Sequence, residues 1–205
     1  MISRYTHRFA LARARRFAAD QHGVSAVEFA ILLPLMLTLY FGGVEIADAV
    51  SADRKNTLVA YTVGDLVAAV QNVNYPDSGT DPNANLSNVW NADQWVDYPY
   101  KSSNLIAVVS SVCVDTTGKA TISWSQSSDS NNSVHATGST VTLPPALTTN
   151  TTGSNISYIW AESTYTYKPT IGYAITGTIK MHDQFYLGPR QSCSVTLNGG
   201  SKCCS

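Results

Sequence analysis

Charged side chains are scarce in this sequence of 205 residues. They make up 13% of the chain, whereas about a quarter is usual for a soluble domain. Positive charge is scarcest after residue 22, because five of the 13 Lys and Arg residues are arginines within residues 1–22. The remaining eight are outnumbered by 13 Asp and Glu. Binding to nucleic acid phosphates requires a clustered basic face, so this distribution predicts no nucleic-acid partner.

The sequence also lacks the short motifs of common catalytic sites. It contains no Gly-rich phosphate loop, no Gly-x-Ser-x-Gly and no His-Glu-x-x-His. His135, His182 and Asp183 are therefore expected at the surface or at strand ends. The four tryptophans could line a glycan site, but aromatic residues of a β-rich domain lie more often in its core. The tryptophans are Trp90, Trp95, Trp124 and Trp160. We predict that the protein is not an enzyme and needs no cofactor.

One long apolar segment lies near the N-terminus. Residues 29–44 carry no charge, and residues 24–44 contain a single charged side chain, Glu28. About 20 apolar residues suffice to cross a bilayer, so we predict a transmembrane helix over residues 24–44, with a buried core helix as the alternative. The five arginines before it favour a cytoplasmic N-terminus. A basic leader, residues 1–23, would then precede the span, and residues 45–205 would lie beyond the membrane.

Three processed forms are compatible with this segment. The uncut chain would be a single-pass envelope anchor. Signal-peptide cleavage at Ala47-Asp48-Ala49 would release the chain from Val50, and the alternative function is then a periplasmic or secreted binding or hydrolytic domain. Cleavage after Gly23 would keep the whole apolar helix. Glu28 favours this third form, because a carboxylate inside a membrane is costly and calls for a partner charge.

The sequence around Glu28 resembles a known bacterial family. Residues 23–34 read GVSAVEFAILLP, and residues 41–45 read FGGVE. Both are similar to the N-terminal motif of TadE-like proteins, which are pilin-like minor components of the Tad or Flp tight-adherence pilus. A weaker similarity lies near the C-terminus, where YTYKP at 165–169 and GPR at 188–190 resemble elements of the family's outer domain.

The resemblance implies a route of processing and assembly. A prepilin peptidase would cleave after Gly23 and make Val24 the first residue. The new α-amine would then pair with Glu28 of a neighbouring subunit, and each charge would offset the desolvation of the other. Phe29 and Pro34 belong to the same assembly segment, and Pro34 is expected to kink the helix.

The resemblance also implies partners and a location. The expected partners are inner-membrane lipid, the prepilin peptidase, the major pilin, other minor pilin-like subunits and the pilus assembly platform. The protein would be a single-pass component of the bacterial inner membrane, with its C-terminal domain in the periplasm. It would enter or support the pilus through its N-terminal helix.

The remaining sequence predicts an α+β fold, with the long helix packed on a mostly antiparallel sheet. Apolar residues at helical spacing continue the helix over residues 45–71 and are expected to face the outer domain: Ala47, Val50, Leu58, Tyr61, Leu66 and Val70. Residues 72–205 form that domain, which begins with a polar loop continuing past Pro82. Alternating β-branched and aromatic residues predict its strands, over 105–114, 120–125, 156–167, 174–181 and 194–197.

Four cysteines suit an oxidising compartment: Cys113, Cys193, Cys203 and Cys204. They allow three complete pairings. A bridge between the adjacent Cys203 and Cys204 would be strained, so we favour Cys113 bonded to the C-terminal group and any second bridge involving Cys193. A zinc site is disfavoured, because Cys-x9-Cys-Cys lacks the short paired spacing of zinc ligands.

Overall fold

The computed structural model describes residues 22–76, 85–130, 134–149, 153–170 and 177–204. All but the last two residues of the expected leader, residues 1–23, therefore lie outside the described residues. The chain divides into two compact units between Ile46 and Ala47. Each unit is described separately below.

The secondary structure confirms the α+β class. In chain order the elements are α1 (His22–Ala68), β1 (Asn72–Val73), α2 (Leu86–Asp97), a 3-10 turn (Ser102–Asn104), β2 (Leu105–Val114), β3 (Ala120–Ser127), β4 (Thr140–Val141), the one-turn helix α3 (Pro145–Thr148), β5 (Ile156–Tyr167), β6 (Ile179–Leu187) and β7 (Thr196–Leu197). Strands β2 and β5 have the bounds that the sequence predicts. The long helix ends three residues before the expected residue 71.

Three sequence expectations are corrected. The polar loop expected past Pro82 gives way to helix α2 from Leu86. The strand expected over 174–181 runs over Ile179–Leu187, while residues 174–176 lie outside the described part. The last strand is only Thr196–Leu197; it pairs in parallel with β1, a contact between segments more than 120 residues apart that local sequence patterns do not encode.

The first unit contributes the lower part of α1. The helix continues without interruption through Pro34, and the Thr38 hydroxyl donates a hydrogen bond to the Pro34 carbonyl at 2.8 Å. All side chains over residues 23–44 are exposed. The expected kink at Pro34 stays a prediction.

The second unit is built on a five-stranded antiparallel sheet in the order β4-β3-β2-β5-β6. Burial alternates strictly along β5, where every odd-numbered residue from Ser157 to Tyr167 is buried. Side chains of a strand point alternately to its two faces, so this pattern assigns odd residues of β5 to a covered face. We call it the helix face, because α1 and α2 pack there, and we call the opposite side the outer face.

A bulge in β3 serves both faces of the sheet. Ser111 of β2 lies opposite Trp124, whereas the next residue, Val112, lies opposite Ile122, so Ser123 is an extra residue in β3. Because of this extra residue, Ile122 and Trp124 point to opposite faces of the sheet, although residues two apart in a regular strand share a face. Trp124 enters the core under the helices, and Ile122 enters a smaller cluster on the outer face that Leu143 covers.

From Ala47 onward, α1 contacts the sheet mainly through small or β-branched residues. The buried positions are Ala52, Asn56, Val59, Ala60, Val63, Gly64, Val67 and Ala68. The expected packing stripe is correct only in part: Val70 packs against the core and Tyr61 contacts Phe185 of β6. Val50, Leu58 and Leu66 are 39% to 47% exposed. Small side chains let the helix approach the sheet closely, and the larger apolar residues of α1 stay partly exposed.

Polar contacts fix this helix on the sheet at three levels. Asn56 is fully buried and exchanges hydrogen bonds with Ser163 of β5, whose hydroxyl also donates to the Asn56 carbonyl at 2.9 Å. Thr57 donates to the Asp183 carboxylate of β6. At the C-terminal end of α1, Arg190 forms an ion pair with Asp65, and the Arg190 backbone N–H donates to the Ala68 carbonyl at 2.8 Å.

Gly64 marks the closest approach of α1 to the sheet, and this yields a stability prediction. A Cβ atom at position 64 would lie 2.5 Å from Leu187 Cδ1 and 3.0 Å from Ala161 Cβ. We expect Gly64→Val to lower the free energy of unfolding by about 1–3 kcal/mol through overpacking. The measurement is denaturant unfolding of the full chain in detergent, followed by tryptophan fluorescence.

The matched control is Gly43→Val in the same helix. A Cβ atom at position 43 meets nothing within 4 Å, so the same chemical change adds no steric clash. All four tryptophans belong to the second unit, which makes fluorescence a readout of that unit. Equal unfolding free energies for the two variants would contradict close packing at Gly64.

Candidate functional site

The residues expected to act in processing and assembly lie together on the first turns of α1. Gly23 is the second residue of the helix. Val24 is 56% exposed and Phe29 is 60% exposed, and Glu28 is also exposed. Among the described residues, none forms a hydrogen bond or ion pair with the Glu28 carboxylate. The segment therefore presents an apolar surface and one unpaired charge.

Within the described residues, α1 is the one helix long and apolar enough to cross a membrane. Its most apolar 18-residue window is not buried against any of the described residues. Contiguous apolar surface of this extent is uncommon on soluble monomers and indicates a membrane or protein contact. The helix thus has the composition that both lipid anchoring and helix–helix assembly require.

The four cysteines form two disulfides. Cys113 of β2 is bonded to Cys203, and Cys193 is bonded to Cys204. The first bridge closes a separation of 90 residues and ties the C-terminal tail to the sheet. Disulfides persist in oxidising compartments outside the cytosol, so this arrangement suits an extracytoplasmic domain.

The sequence did not anticipate an aromatic and polar cluster on the outer face. Trp160 of β5 is stacked between His135, at a centroid distance of 4.3 Å, and Tyr186 of β6, at 5.8 Å. The Trp160 indole N–H donates to Gln184 Oε1 at 3.0 Å. The expectation of a core position is therefore wrong for Trp160, which is half-buried, and for Trp95, which is 81% exposed.

Two histidines approach one carboxylate within this cluster. His135 Nε2 lies 2.6 Å from Glu162 Oε2, and His182 Nε2 lies 3.9 Å from Glu162 Oε1. His182 Nδ1 is also 3.1 Å from the Thr164 hydroxyl. In the part of the chain that the structure describes, no group of three or more His, Cys, Asp or Glu side chains has the geometry of a metal site. The cluster orders the outer face through hydrogen bonds and ring stacking.

Two carboxylates on α2 are buried in the second unit. Asp93 is 3% exposed and Asp97 is 1% exposed, and a spacing of four residues places them one turn apart on one side of the helix. Neither oxygen of Asp97 accepts a hydrogen bond from any described residue. Lys55 of α1 is the nearby positive charge, and its ammonium donates to the Val96 carbonyl at 3.1 Å.

Burial controls the ionisation of this pair. It raises the pKa of Asp93 to about 7, the Asp97 carboxylate acts in the same direction, and a hydrogen bond from the Gln94 backbone opposes the rise. Burial also raises the pKa of Asp97, while Lys55 lowers it. No short sequence motif predicts this pair. Two Asp residues four apart, between aromatic residues, could nevertheless have indicated a helix that buries both carboxylates.

Comparison with known proteins identifies the N-terminal segment. Residues 23–63 match the family model described as TadE-like protein. This segment is TadE-like. The match confirms the predicted resemblance and suggests a component associated with the Tad pilus. No curated protein and no solved structure matches the chain.

The TadE-like segment covers both the apolar part of α1 and most of its packed part. Its contacts in the second unit give the two weaker C-terminal similarities a structural role. Tyr165 and Tyr167 are buried on the helix face. Arg190 of the GPR element pairs with Asp65 and caps α1 through its backbone N–H. Both elements thus support the helix that carries the TadE-like sequence.

The raised pKa of Asp93 predicts the pH dependence of stability. Its folded-state pKa of about 7 lies above the ordinary value of 3.8, so the folded state binds more protons between these values. Stability should therefore fall as pH rises from about 4 to 7, by up to about 1.4 kcal/mol per pH unit for one group. Asp93→Asn should flatten this part of the profile and raise stability at pH 8.

The measurement is denaturant unfolding of both proteins at pH 4.5, 6 and 8. The informative quantity is the difference between variant and wild type, because titrating groups other than the neighbouring Asp97 affect both profiles alike. Asp115→Asn is a suitable control, since hydrogen bonds from Thr117 lower the pKa of that exposed carboxyl and its effect has the opposite sign. A wild-type slope retained in Asp93→Asn would refute the assignment.

Proposed function

We propose that this protein is a minor pilin-like subunit of a Tad or Flp adhesive pilus. It is anchored in the bacterial inner membrane by α1 before assembly, and its second unit lies in the periplasm. It joins the other subunits through its N-terminal helix. The observation that carries the proposal is the TadE-like match over residues 23–63 on a helix whose apolar surface is bare over residues 23–44.

The position of Glu28 supports an assembly role. A lone carboxylate in an apolar segment is costly in lipid, and no described residue of the chain offsets its charge. Cleavage after Gly23 would place a new α-amine four residues before Glu28. Pairing of that amine with Glu28 of a neighbouring subunit would make assembly depend on cleavage.

The upper part of α1 offers a further surface for neighbouring subunits. Val50, Leu58 and Leu66 are 39% to 47% exposed, and Tyr61 is 46% exposed although its ring edge contacts Phe185 of β6. Apolar residues at helical spacing on a surface helix are typical of contacts with another helix. A helix that packs on its own domain by small residues, while presenting larger apolar ones outward, suits a subunit of a helical assembly.

The mature N-terminus is the first test of this proposal. We expect intact-mass measurement and N-terminal sequencing of the protein from its native host to show Val24 as the first residue. Val50 would indicate release by signal peptidase and would exclude the pilin-like role. Met1 would leave an uncut anchor.

The second test addresses the charge of Glu28. Loss of one partner from a buried ion pair costs about 3–5 kcal/mol, so Glu28→Gln should reduce co-purification with pilus subunits at least about tenfold. Membrane insertion should persist, because the substitution removes a charge from the apolar segment. Glu45→Gln, the same change just beyond residue 44, is the control. Unchanged co-purification of Glu28→Gln would assign Glu28 no role in assembly.

A further inference from the structure

We propose that the second unit carries a binding surface for anionic phospholipid headgroups at the end where α1 enters it. This entry end comprises Asp48, residues 98–104, Lys168 and the start of β6. The inference rests on the proposed anchoring of α1 in a membrane. It adds a second membrane contact, made by the folded domain.

The position of the entry end follows from contacts near the start of the second unit. The Tyr100 hydroxyl donates to the Asp48 carbonyl at 3.3 Å. Tyr100 also contacts the ring of Tyr165 near the end of β5, at a centroid distance of 6.0 Å. The hydroxyl of Tyr165 forms hydrogen bonds with the Asn104 side chain and with the Lys101 backbone. The segment 98–104 is thereby held beside the first turn of the unit.

Asp48 is close along the chain to the end of the expected span. Asp48 follows the last residue of the uncharged run, Val44, by four residues, which corresponds to about 6 Å along a helix. The headgroup region on each side of the hydrocarbon is about 5–7 Å thick. If the span ends at Val44, so few residues separate it from Asp48 that the segment hydrogen-bonded to Asp48 is within reach of the headgroups.

Two exposed aromatic residues, one in segment 98–104 and one three residues before it, have the character of an interfacial belt. Trp95 is 81% exposed and Tyr98 is 71% exposed, the two highest values among the large apolar side chains of the described residues. Trp and Tyr concentrate at membrane interfaces, where the ring meets apolar groups and the polar atom meets water.

Lysines give the same end a positive charge within an acidic unit. Lys101 and Lys168 line an open cavity of about 340 Å³ together with Tyr100 and Asp48. Lys180 lies at the same end of the sheet, because its strand position pairs with Thr166 near the end of β5, but it belongs to the outer face. All three lysines are exposed. In the lining of the cavity, Lys101 and Lys168 outnumber the one carboxylate, Asp48.

A lipid headgroup fits this combination better than a soluble ligand does. Its phosphate would meet Lys101 and Lys168, its glycerol would meet the Tyr100 side of the cavity, and Trp95 and Tyr98 would rest at the acyl boundary. A soluble phosphate would use the lysines alone and leave the aromatic residues in water. We therefore assign the surface to anionic phospholipid.

The test compares lysine reactivity in two membranes. The full-length protein is placed in nanodiscs of phosphatidylcholine alone or of phosphatidylcholine with an equal amount of phosphatidylglycerol, and is labelled briefly with an acetylating reagent. Lys101 and Lys168 should react about fivefold more slowly with phosphatidylglycerol present, given the attraction of each lysine to an anionic surface. Lys119 and Lys202 serve as internal controls, because they flank the opposite end of the sheet, near the bridge from Cys113 to Cys203.

A pair of double variants isolates the charge. Lys101→Gln with Lys168→Gln should abolish the enrichment of phosphatidylglycerol around protein extracted from a mixed bilayer, measured by phospholipid analysis. Lys119→Gln with Lys202→Gln removes the same charge at the opposite end and should leave the enrichment intact. Equal enrichment for both double variants would overturn the inference.

The remaining outcomes separate this inference from the proposed anchoring. Protein that enters nanodiscs but shows equal labelling in both lipids would overturn the headgroup surface and leave the anchor standing. Failure to enter nanodiscs would overturn both. Protection in phosphatidylcholine discs after addition of inorganic phosphate would identify a soluble anion as the ligand. Protection that rises with protein concentration in either lipid would identify a second copy of the chain.

Discussion

The second unit depends on the close contact between α1 and β5. Gly64 lies against Ala161, and the buried Asn56 is satisfied by Ser163 on the same strand. Small residues on both sides bring the backbones near enough for these hydrogen bonds, and a buried amide without partners would be strongly destabilising. The contact therefore specifies the rotation of α1 on the sheet. That rotation decides which apolar residues of the helix are buried and which remain available to other molecules.

The two ends of the second unit are stabilised by different interactions. At the end away from the helix entry, the disulfide from Cys113 to Cys203 ties the tail to the sheet. At the entry end, stabilisation comes from aromatic stacking and from hydrogen bonds around Tyr165, while Trp95 and the lysines face outward. A disulfide is suited to an end of the domain that faces water. Exposed aromatic rings and ammonium groups are suited to an end that contacts lipid headgroups.

Local patterns predicted much of this structure, and long-range contacts account for what they missed. Strands β2 and β5 have the expected bounds, because β-branched and aromatic residues alternate there without interruption. Helix α2 was missed because its Asn- and Asp-rich sequence has weak helical signals, and because its start is held by the distant Asn74 carbonyl, which accepts from the Leu86 backbone N–H at 3.2 Å. The packed side of α1 was mispredicted in part since residue size, and not apolarity alone, decides which side approaches a sheet. The motif around Glu28 was recognisable because it is one contiguous stretch of sequence on a single helix, so no long-range contact is needed to see it.

The contacts of Asp48 and Ala49 bear on the alternative of a released domain. A cut after Ala49 would remove the carbonyl that accepts from Tyr100 and the Ala49 side chain that packs against the core. The first buried residue of α1, Ala52, would then lie in a fraying first turn. Retention of the helix avoids these losses, because the turn before Ala52 stays hydrogen-bonded to the turns below it. The fold of the second unit therefore favours a mature chain in which α1 continues below residue 47, as a pilin-like subunit requires.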